Sequence, residues 1–192
     1  HKSPRGLEVA KMLAEEVEKN DPMHNALPTI ASNYMQWENA QNVADFLKIA
    51  GYNYAEKLYD DHHEKHPDWV IYGSETASTV RSRGIYHFPY ETSLLVYDDL
   101  QCSDLGNSVV NWGASPLNSY AMDTAADYSM GQFVWTGFDY IGEPTPYNTK
   151  NSYFGIVDTA GFEKDSFWFY KSVWDIAYEK PFIHLSPCYW DF

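Results

Sequence analysis

A glutamate closes the most apolar strand that the sequence predicts. Residues 69–72 read Trp-Val-Ile-Tyr, a run of β-branched and aromatic side chains that favours a strand buried on both faces of a parallel sheet. Gly73 and Ser74 end this run, and Glu75 follows at once. Residues 76–78 are small and leave open space around the carboxylate. Glu75 is therefore the first candidate for a side chain that performs chemistry.

Polar side chains also follow the other predicted strands, at the point where each strand ends. In α/β barrels this end of the sheet carries the active site, and a site built from several strands shows such a distribution. Loops are also polar because they are solvated, and this alternative explains any one of these residues equally well. The pattern as a whole favours a functional site. Its members are Asn33, Asn53, Tyr54, Glu75, Trp135, Asp139 and Glu143.

Other groups of reactive residues give weaker signals. His62 and His66 have the spacing of two metal ligands on one helical face, but His63 stands where a zinc-protease helix has its glutamate. A solvated charged face is the better interpretation, and no metal is expected. Ser74 lacks the Gly-x-Ser-x-Gly elbow of serine hydrolases. No Gly-rich phosphate loop occurs, and no cofactor is expected.

Helical and strand patterns alternate along the chain. Ser3 and Pro4 predict the cap and first position of a helix that ends at Asp21. The remaining patterns predict helices over 35–47, 55–66, 116–130 and 164–177, and strands over 27–33, 46–54, 69–75 and 132–142. This order predicts an α/β fold, either a parallel barrel or a doubly wound sheet. Four strands are half of the eight that close a barrel.

Composition indicates one globular domain and argues against strongly anionic partners. The 192 residues are 44% hydrophobic and 21% charged, which is ordinary for a folded domain. The net charge of -14 argues against nucleic acid and membrane surfaces as partners, since both attract clustered Lys and Arg. The first residues lack the apolar core of a signal peptide, so the sequence shows no targeting signal. The 17% aromatic content reflects either large core side chains or rings that line a sugar-binding cleft.

Three ordered segments resemble glycoside hydrolase family 2. They are DWVIYGSETAS with the following RSRGIYHFP, then GQFVWTGFDYIGEPTPYN, then NSYFGIVDTAGFEKDSFWFYKSVW. The similarity covers nearly the whole chain and is greatest to β-galactosidases of gut-type bacteria. It implies that residues 1–192 are the C-terminal half of a TIM (β/α)8 catalytic barrel, roughly strands five to eight with their helices. The chain would then be a fragment of a longer multidomain protein.

The resemblance also implies roles for single residues. In this family strand seven ends on the glutamate nucleophile, which matches Glu75. Tyr54 matches a tyrosine that hydrogen-bonds the nucleophile, and Asn53 matches a position that contacts the sugar in some members. Trp135 matches a tryptophan in the wall of the sugar pocket, and Asp139 lies near that wall as a further candidate for substrate binding.

The implied activity is that of a retaining β-galactosidase, which hydrolyses terminal β-linked galactose through a covalent glycosyl-enzyme intermediate. Related β-glucuronidases and β-mannosidases, and a non-catalytic carbohydrate-binding or remnant barrel module, stay open as alternatives. The family's acid/base glutamate precedes the first helix and is absent from residues 1–192, so we expect the chain alone to be inactive. A carbohydrate is the expected partner. Family resemblance indicates a periplasmic or secreted location, which the sequence itself leaves unknown.

A half-barrel exposes two strand edges. Here the predicted edges are 27–33 and 132–142, and the second carries Phe133, Val134 and Trp135 in a row. Unpaired backbone groups at such edges favour pairing with another chain, unless the loop 76–118 covers them. We therefore expect a homo-oligomer that forms through the barrel edges.

Overall fold

The computed structural model describes residues 2–92, 94–175 and 181–186 and has an α/β fold, as the sequence predicts. The helices are α1 (Gly6–Asn20), α2 (Glu38–Leu47), α3 (Tyr59–Lys65), α4 (Pro116–Ala125) and α5 (Asp165–Trp174). The strands are β1 (Ile30–Ser32), β2 (Ile49–Asn53), β3 (Val70–Ala77) and β4 (Ser129–Trp135), and a 3-10 turn at Glu56–Leu58 precedes α3. Each predicted helix and strand therefore has a counterpart in the structure.

The predicted boundaries need correction at several elements: α4 ends at Ala125 rather than at residue 130, and β4 spans Ser129–Trp135 rather than 132–142. Ser3 and Pro4 lie in a turn before α1, whose N-cap is Arg5 without a side-chain hydrogen bond. Ser3 uses its backbone carbonyl, which accepts a hydrogen bond from the Gly6 amide at 2.9 Å, so the prediction of a Ser3 side-chain cap is wrong. The last helix ends at Trp174, and residues 176–177 of its predicted span lie outside the described residues.

The strands form one four-stranded sheet in the order β1-β2-β3-β4. The β1–β2 and β2–β3 pairs are parallel, and helices lie between successive strands of the chain. Parallel pairing needs such crossover connections, because the chain must return to the end of the sheet where the first strand began before the next strand starts. The carboxyl ends of β1, β2 and β3 consequently lie at the same end of the sheet. None of the described helices combines the length and apolar character that a membrane crossing requires.

The chain divides into two compact units. The first comprises His1–Thr76 and Tyr120–Phe133, and the second comprises Ala77–Ser119 and Val134–Phe192. The core of the first unit lies between the sheet and its helices. Its fully buried members include Met35, Ala40, Ala44, Ala50 and Ile71, together with the large rings of Tyr52, Tyr59 and Trp69.

The second unit has a small apolar core and several buried charges. Val80, Cys102, Val110, Tyr153 and Phe154 form the apolar cluster. Among the described residues of the same unit, four side chains of the Asp, Glu, Lys or Arg type are buried, namely Arg81, Asp104, Asp139 and Lys164. Charged groups are rarely buried without partners, so the contacts of these four decide what they do.

Lys164 is the best-satisfied of the buried charges. Its ammonium donates to Asp139 Oδ1 at 2.7 Å, to the Arg81 carbonyl at 2.6 Å and to the Tyr153 carbonyl at 3.3 Å. The Lys164 side chain is 0% exposed and that of Asp139 is 5% exposed. Burial lowers the pKa of Lys164 and raises the pKa of Asp139, and the opposite charge of each partner opposes the shift. The three acceptors match the three N–H donors of an ammonium group.

We predict that Lys164→Met destabilises the protein by about 3–5 kcal/mol, because Asp139 then stays buried without its cation. Urea denaturation measures the free energy of unfolding. The double variant Lys164→Met/Asp139→Asn should recover part of the loss, since the amide removes the unpaired charge. The exposed Lys150→Met is the matched control, with an expected change within about 0.5 kcal/mol. A loss below about 1 kcal/mol for Lys164→Met would contradict the prediction.

Candidate active site

A β-bulge lies where β2 and β3 end. Tyr52 pairs with Gly73, but the next residue, Asn53, pairs with Glu75, so Ser74 is an extra residue in β3. A bulge disrupts the ladder locally and re-aims the side chains beside it. The burial alternation of β3 breaks at this point, where both Ser74 and Glu75 are half-buried. The bulge therefore gives both side chains partial access to solvent.

Tyr54 holds Glu75 by two hydrogen bonds. The Tyr54 amide donates to the Glu75 carbonyl at 2.9 Å, and the Tyr54 hydroxyl donates to Glu75 Oε2 at 2.7 Å. The backbone of Tyr54 has a φ of 54°, which is uncommon for a residue other than glycine. Such a conformation costs free energy and persists only where the surroundings impose it. The paired contacts with Glu75 are part of those surroundings.

Asn53 links the ends of three strands. Ser74 Oγ donates to Asn53 Oδ1 at 2.6 Å, and Asn53 Nδ2 donates to Asn33 Oδ1 at 2.7 Å. The Asn53 side chain is buried, so its amide is held with its oxygen toward Ser74 and its nitrogen toward Asn33. The sequence pattern at the strand ends thus corresponds to a hydrogen-bonded row across β1, β2 and β3.

Gly51 leaves the space that this row needs. A Cβ at Gly51 would lie 2.5 Å from the Ile30 carbonyl oxygen, 2.7 Å from Ser74 Oγ and 2.8 Å from Tyr72 Cζ. Separations this short are not tolerated between non-bonded atoms, so a side chain at Gly51 would displace Ser74 or the strand itself. The pattern of polar residues at the strand ends does not mark this glycine. A glycine inside a strand is a signal for close backbone approach that could have marked it.

Thr76 fixes β3 on its other side. Its Oγ1 lies 2.8 Å from Gln132 Oε1 and 3.1 Å from the Phe133 carbonyl oxygen, and both acceptors belong to β4. Thr76 is fully buried. The residue directly after Glu75 is therefore tied to the next strand, which restricts how far the carboxylate can move.

His62 on α3 and His66, which caps this helix, do not form the solvated face that the sequence predicts. His62 is buried, and its Nδ1 lies 2.9 Å from the Tyr52 hydroxyl. His66 instead stacks on Trp69, with ring centroids 4.0 Å apart. Burial lowers the pKa of His62, which favours the neutral ring. Within the described residues no group of three or more His, Cys, Asp or Glu side chains is arranged to hold a metal ion.

Trp135 and Asp139 belong to the second unit. The half-buried Trp135 packs against the second apolar cluster and meets Tyr140 edge-to-face, with ring centroids 6.1 Å apart. The peptide bond between Trp135 and Thr136 is cis. Asp139 Oδ1 accepts hydrogen bonds from Lys164 and from the Gly155 amide, the latter at 2.8 Å. The structure thus brings Asn53, Tyr54 and Glu75 together in the first unit and places the other two predicted residues in the second.

Comparison with known proteins defines the class of protein that the chain resembles. No family model matches the chain. A β-galactosidase of Bacteroides ovatus is 38% identical over 152 residues, which cover 73% of this chain and 18% of that protein. A protein of Formosa agariphila named as a putative β-glucuronidase is 32% identical over 121 residues, which cover 54% of this chain and 11% of that protein. The chain therefore spans less than a fifth of the curated relatives that it matches.

The fold of this chain resembles that of a solved structure. The crystal structure of a glycosyl hydrolase family 2 member from Bacteroides cellulosilyticus superposes with a TM-score of 0.61 at 19% identity, over 90% of this chain and 19% of that one. The chain is accordingly a glycosidase-like protein. The resemblance to glycoside hydrolase family 2 found in the sequence is confirmed, and the chain matches only a part of those proteins.

Proposed function

We propose that Glu75 is the nucleophile of a retaining β-galactosidase and that residues 1–192 form the C-terminal half of its (β/α)8 catalytic barrel. The observation that carries this proposal is the 2.7 Å hydrogen bond from the Tyr54 hydroxyl to Glu75 Oε2, made where β3 ends. A carboxylate aimed by a phenol at the carboxyl end of a parallel sheet has the position and the chemistry of a covalent catalyst.

The proposed reaction uses two carboxyl groups. A Glu75 carboxylate oxygen attacks the anomeric carbon, and the bond from that carbon to the leaving oxygen breaks. A second carboxyl group, about 5–5.5 Å away in retaining enzymes, protonates the leaving oxygen. A water molecule then gives a proton to the second carboxylate and attacks the anomeric carbon, and the bond from that carbon to Glu75 breaks, which releases the sugar and regenerates the Glu75 carboxylate. Tyr54 contributes by holding Oε2, so that the carboxylate meets the sugar in one orientation.

The remaining predicted residues have supporting roles in this proposal. Asn53 holds Ser74 at the bulge and so contributes to the position of Glu75. By resemblance, Trp135 forms part of the wall of the sugar pocket. Asp139 is buried and bound to Lys164, so we propose that it orders the segment that follows Trp135, the last residue of β4, rather than contacting the sugar directly.

Galactosides are the favoured substrates. The relative that is named a β-galactosidase matches more of this chain, at higher identity, than the relative named a putative β-glucuronidase. Parallel assays with aryl β-galactoside and aryl β-glucuronide, made on a longer protein that contains residues 1–192 with the rest of its catalytic barrel, distinguish the two substrate classes. Hydrolysis of only the glucuronide would overturn the assignment of galactose, and hydrolysis of neither would favour a non-catalytic carbohydrate-binding module.

In a longer protein that contains residues 1–192 with the rest of its catalytic barrel, Glu75→Gln should lower kcat by about 10⁴-fold or more, because the amide keeps the shape and loses the nucleophile. Tyr54→Phe removes one charge-assisted hydrogen bond, and kcat should fall by about 10- to 100-fold. A fluorinated galactoside, which accumulates the covalent intermediate, should label Glu75 in the unmodified protein.

The control for this experiment is Tyr72→Phe. The Tyr72 hydroxyl lies 3.2 Å from Thr29 Oγ1 and has no role in the proposed reaction, so activity should stay within about threefold. Thermal unfolding checks that each variant remains folded. Near-normal turnover by Glu75→Gln, or a label on another carboxylate, would show that Glu75 is not the nucleophile.

The purified 192-residue chain should hydrolyse aryl β-galactosides at least about 10²- to 10⁴-fold more slowly than the longer protein, because the resemblance assigns the acid/base glutamate to a position outside these residues. Steady-state kcat/KM measurements on both proteins test this difference. If the isolated chain matched the rate of the longer protein, residues 1–192 would contain their own general acid.

The isolated chain should also self-associate through the outer strands of its sheet, β1 and β4. Met130 lies on β4 and is 75% exposed, and a lysine there should oppose edge-to-edge pairing. Sedimentation velocity at high micromolar concentration should show a dimer or larger assembly for the unmodified chain and a monomer for Met130→Lys. Met23→Lys changes an equally exposed methionine outside the strands and should leave the assembly intact. A compact monomer for the unmodified chain would contradict this expectation.

A further inference from the structure

A cavity of about 490 Å³ lies within the second unit. Its lining includes Arg81, Asp104, Gly106, Leu117, Ser166 and Phe169. This volume falls within the range of about 300–1,000 Å³ that is usual for small-molecule sites. None of the residues in its lining belongs to the cluster around Glu75.

Arg81 lines this cavity and has two unpaired hydrogen-bond donors. The residue is 2% exposed, and neither Nε nor Nη2 has a hydrogen-bond partner. The backbone of Arg81 is fixed, since its amide donates to the Tyr153 carbonyl at 2.9 Å and its carbonyl accepts from Lys164. In a guanidinium the Nε–H and one Nη2–H run parallel, so they can hold two neighbouring oxygens of one molecule.

Gly106 lies directly beside these two nitrogens. A Cβ at Gly106 would lie 3.7 Å from Arg81 Nη2 and 3.8 Å from Nε. The absence of a side chain leaves this edge of the guanidinium unobstructed from the Gly106 side. Gly106 has a φ of 75°, a conformation that glycine adopts without strain.

Two further groups at the cavity lack partners. Asp104 Oδ2 accepts a hydrogen bond from the Gly84 amide at 3.1 Å, while Oδ1 accepts none. Ser166 is buried, and its Oγ has no partner either. A buried polar group that stays unpaired costs about 1–3 kcal/mol. A ligand that both accepts and donates hydrogen bonds would satisfy these groups.

The charges around the cavity decide the class of that occupant. Asp104 and Asp165, both in the lining, interact electrostatically with Arg81, so carboxylates outnumber the guanidinium. Burial raises the pKa of Asp104 to about 6, and above that pH the carboxylate is an acceptor. An anionic ligand would meet repulsion from these carboxylates. A hydroxyl group donates and accepts at once and carries no charge.

We propose that this cavity binds a neutral polyhydroxylated molecule, such as a sugar, through a pair of adjacent hydroxyl groups. Their oxygens accept from Arg81 Nε and Nη2, and a hydroxyl hydrogen is donated to Asp104 Oδ1. Ser166 Oγ contacts a further hydroxyl group. Leu117 and Phe169 provide apolar surface for the C–H face of the ring.

The test is an NMR titration of the ¹⁵N-labelled 192-residue chain with methyl β-D-galactopyranoside at pH 7.5. We expect saturable shifts of the Gly106, Leu117 and Ser166 amides. Ser166→Ala removes a hydroxyl that has no partner in the fold, so it should leave folding intact and weaken binding by about two- to tenfold. Ser172→Ala, an exposed serine on the same helix and outside the cavity lining, should leave binding unchanged.

Two further arms separate the alternatives. The Glu75→Gln chain should give the same shifts at Gly106 and Ser166, because this site does not depend on the proposed nucleophile. A titration with inorganic phosphate should leave the chemical shifts of these amides unchanged. Shifts with phosphate but not with the galactoside would overturn the neutral class of ligand. No shift with either probe, or unchanged binding by Ser166→Ala, would overturn the proposed site and leave water as the occupant of the cavity.

Discussion

The pairing of β2 with β3 is the constraint on which the candidate site depends. One extra residue in β3 shifts the register after Tyr52, so that Asn53 faces Glu75 and the next residue, Tyr54, contacts Glu75 with both its amide and its hydroxyl. Side chains alternate between faces along a strand, so a slip of one residue would send the carboxylate to the opposite face. The ladder and the bulge together therefore determine which way Glu75 points.

The helical side of the sheet and the ends of its strands support this geometry in different ways. On the helical side, the Tyr52 hydroxyl bonds to His62, and Tyr59 packs edge-to-face against Tyr52 with ring centroids 5.0 Å apart. These large buried rings fix β2 through packing and hydrogen bonding. At the strand ends, Gly51 and Ser74 provide space and a polar contact instead. A rigid apolar layer behind a polar edge is an arrangement that preorganises catalytic side chains.

The second unit shows two opposite uses of a buried cation. Lys164 meets three acceptors and completes a closed network that stabilises the fold. Arg81 lies in the same unit, is equally buried and lines a cavity, but its Nε and Nη2 have no hydrogen-bond partner. The difference is in the hydrogen bonds rather than in the charge. A satisfied cation has a structural role, whereas an unsatisfied one next to a cavity indicates a ligand.

The sequence by itself determined the order and type of the helices and strands, because apolar periodicity and run length are local properties. It also marked Asn53, Tyr54 and Glu75, since polar residues at the ends of apolar runs are visible without a structure. The bulge at Ser74, the burial of His62 and the backbone turn at Ser3 were decided only by the tertiary structure. So were the partners of Lys164 and the unpaired nitrogens of Arg81. These features depend on contacts between distant residues, such as the 83 positions that separate Lys164 from Arg81, and local patterns carry no information about which distant groups meet.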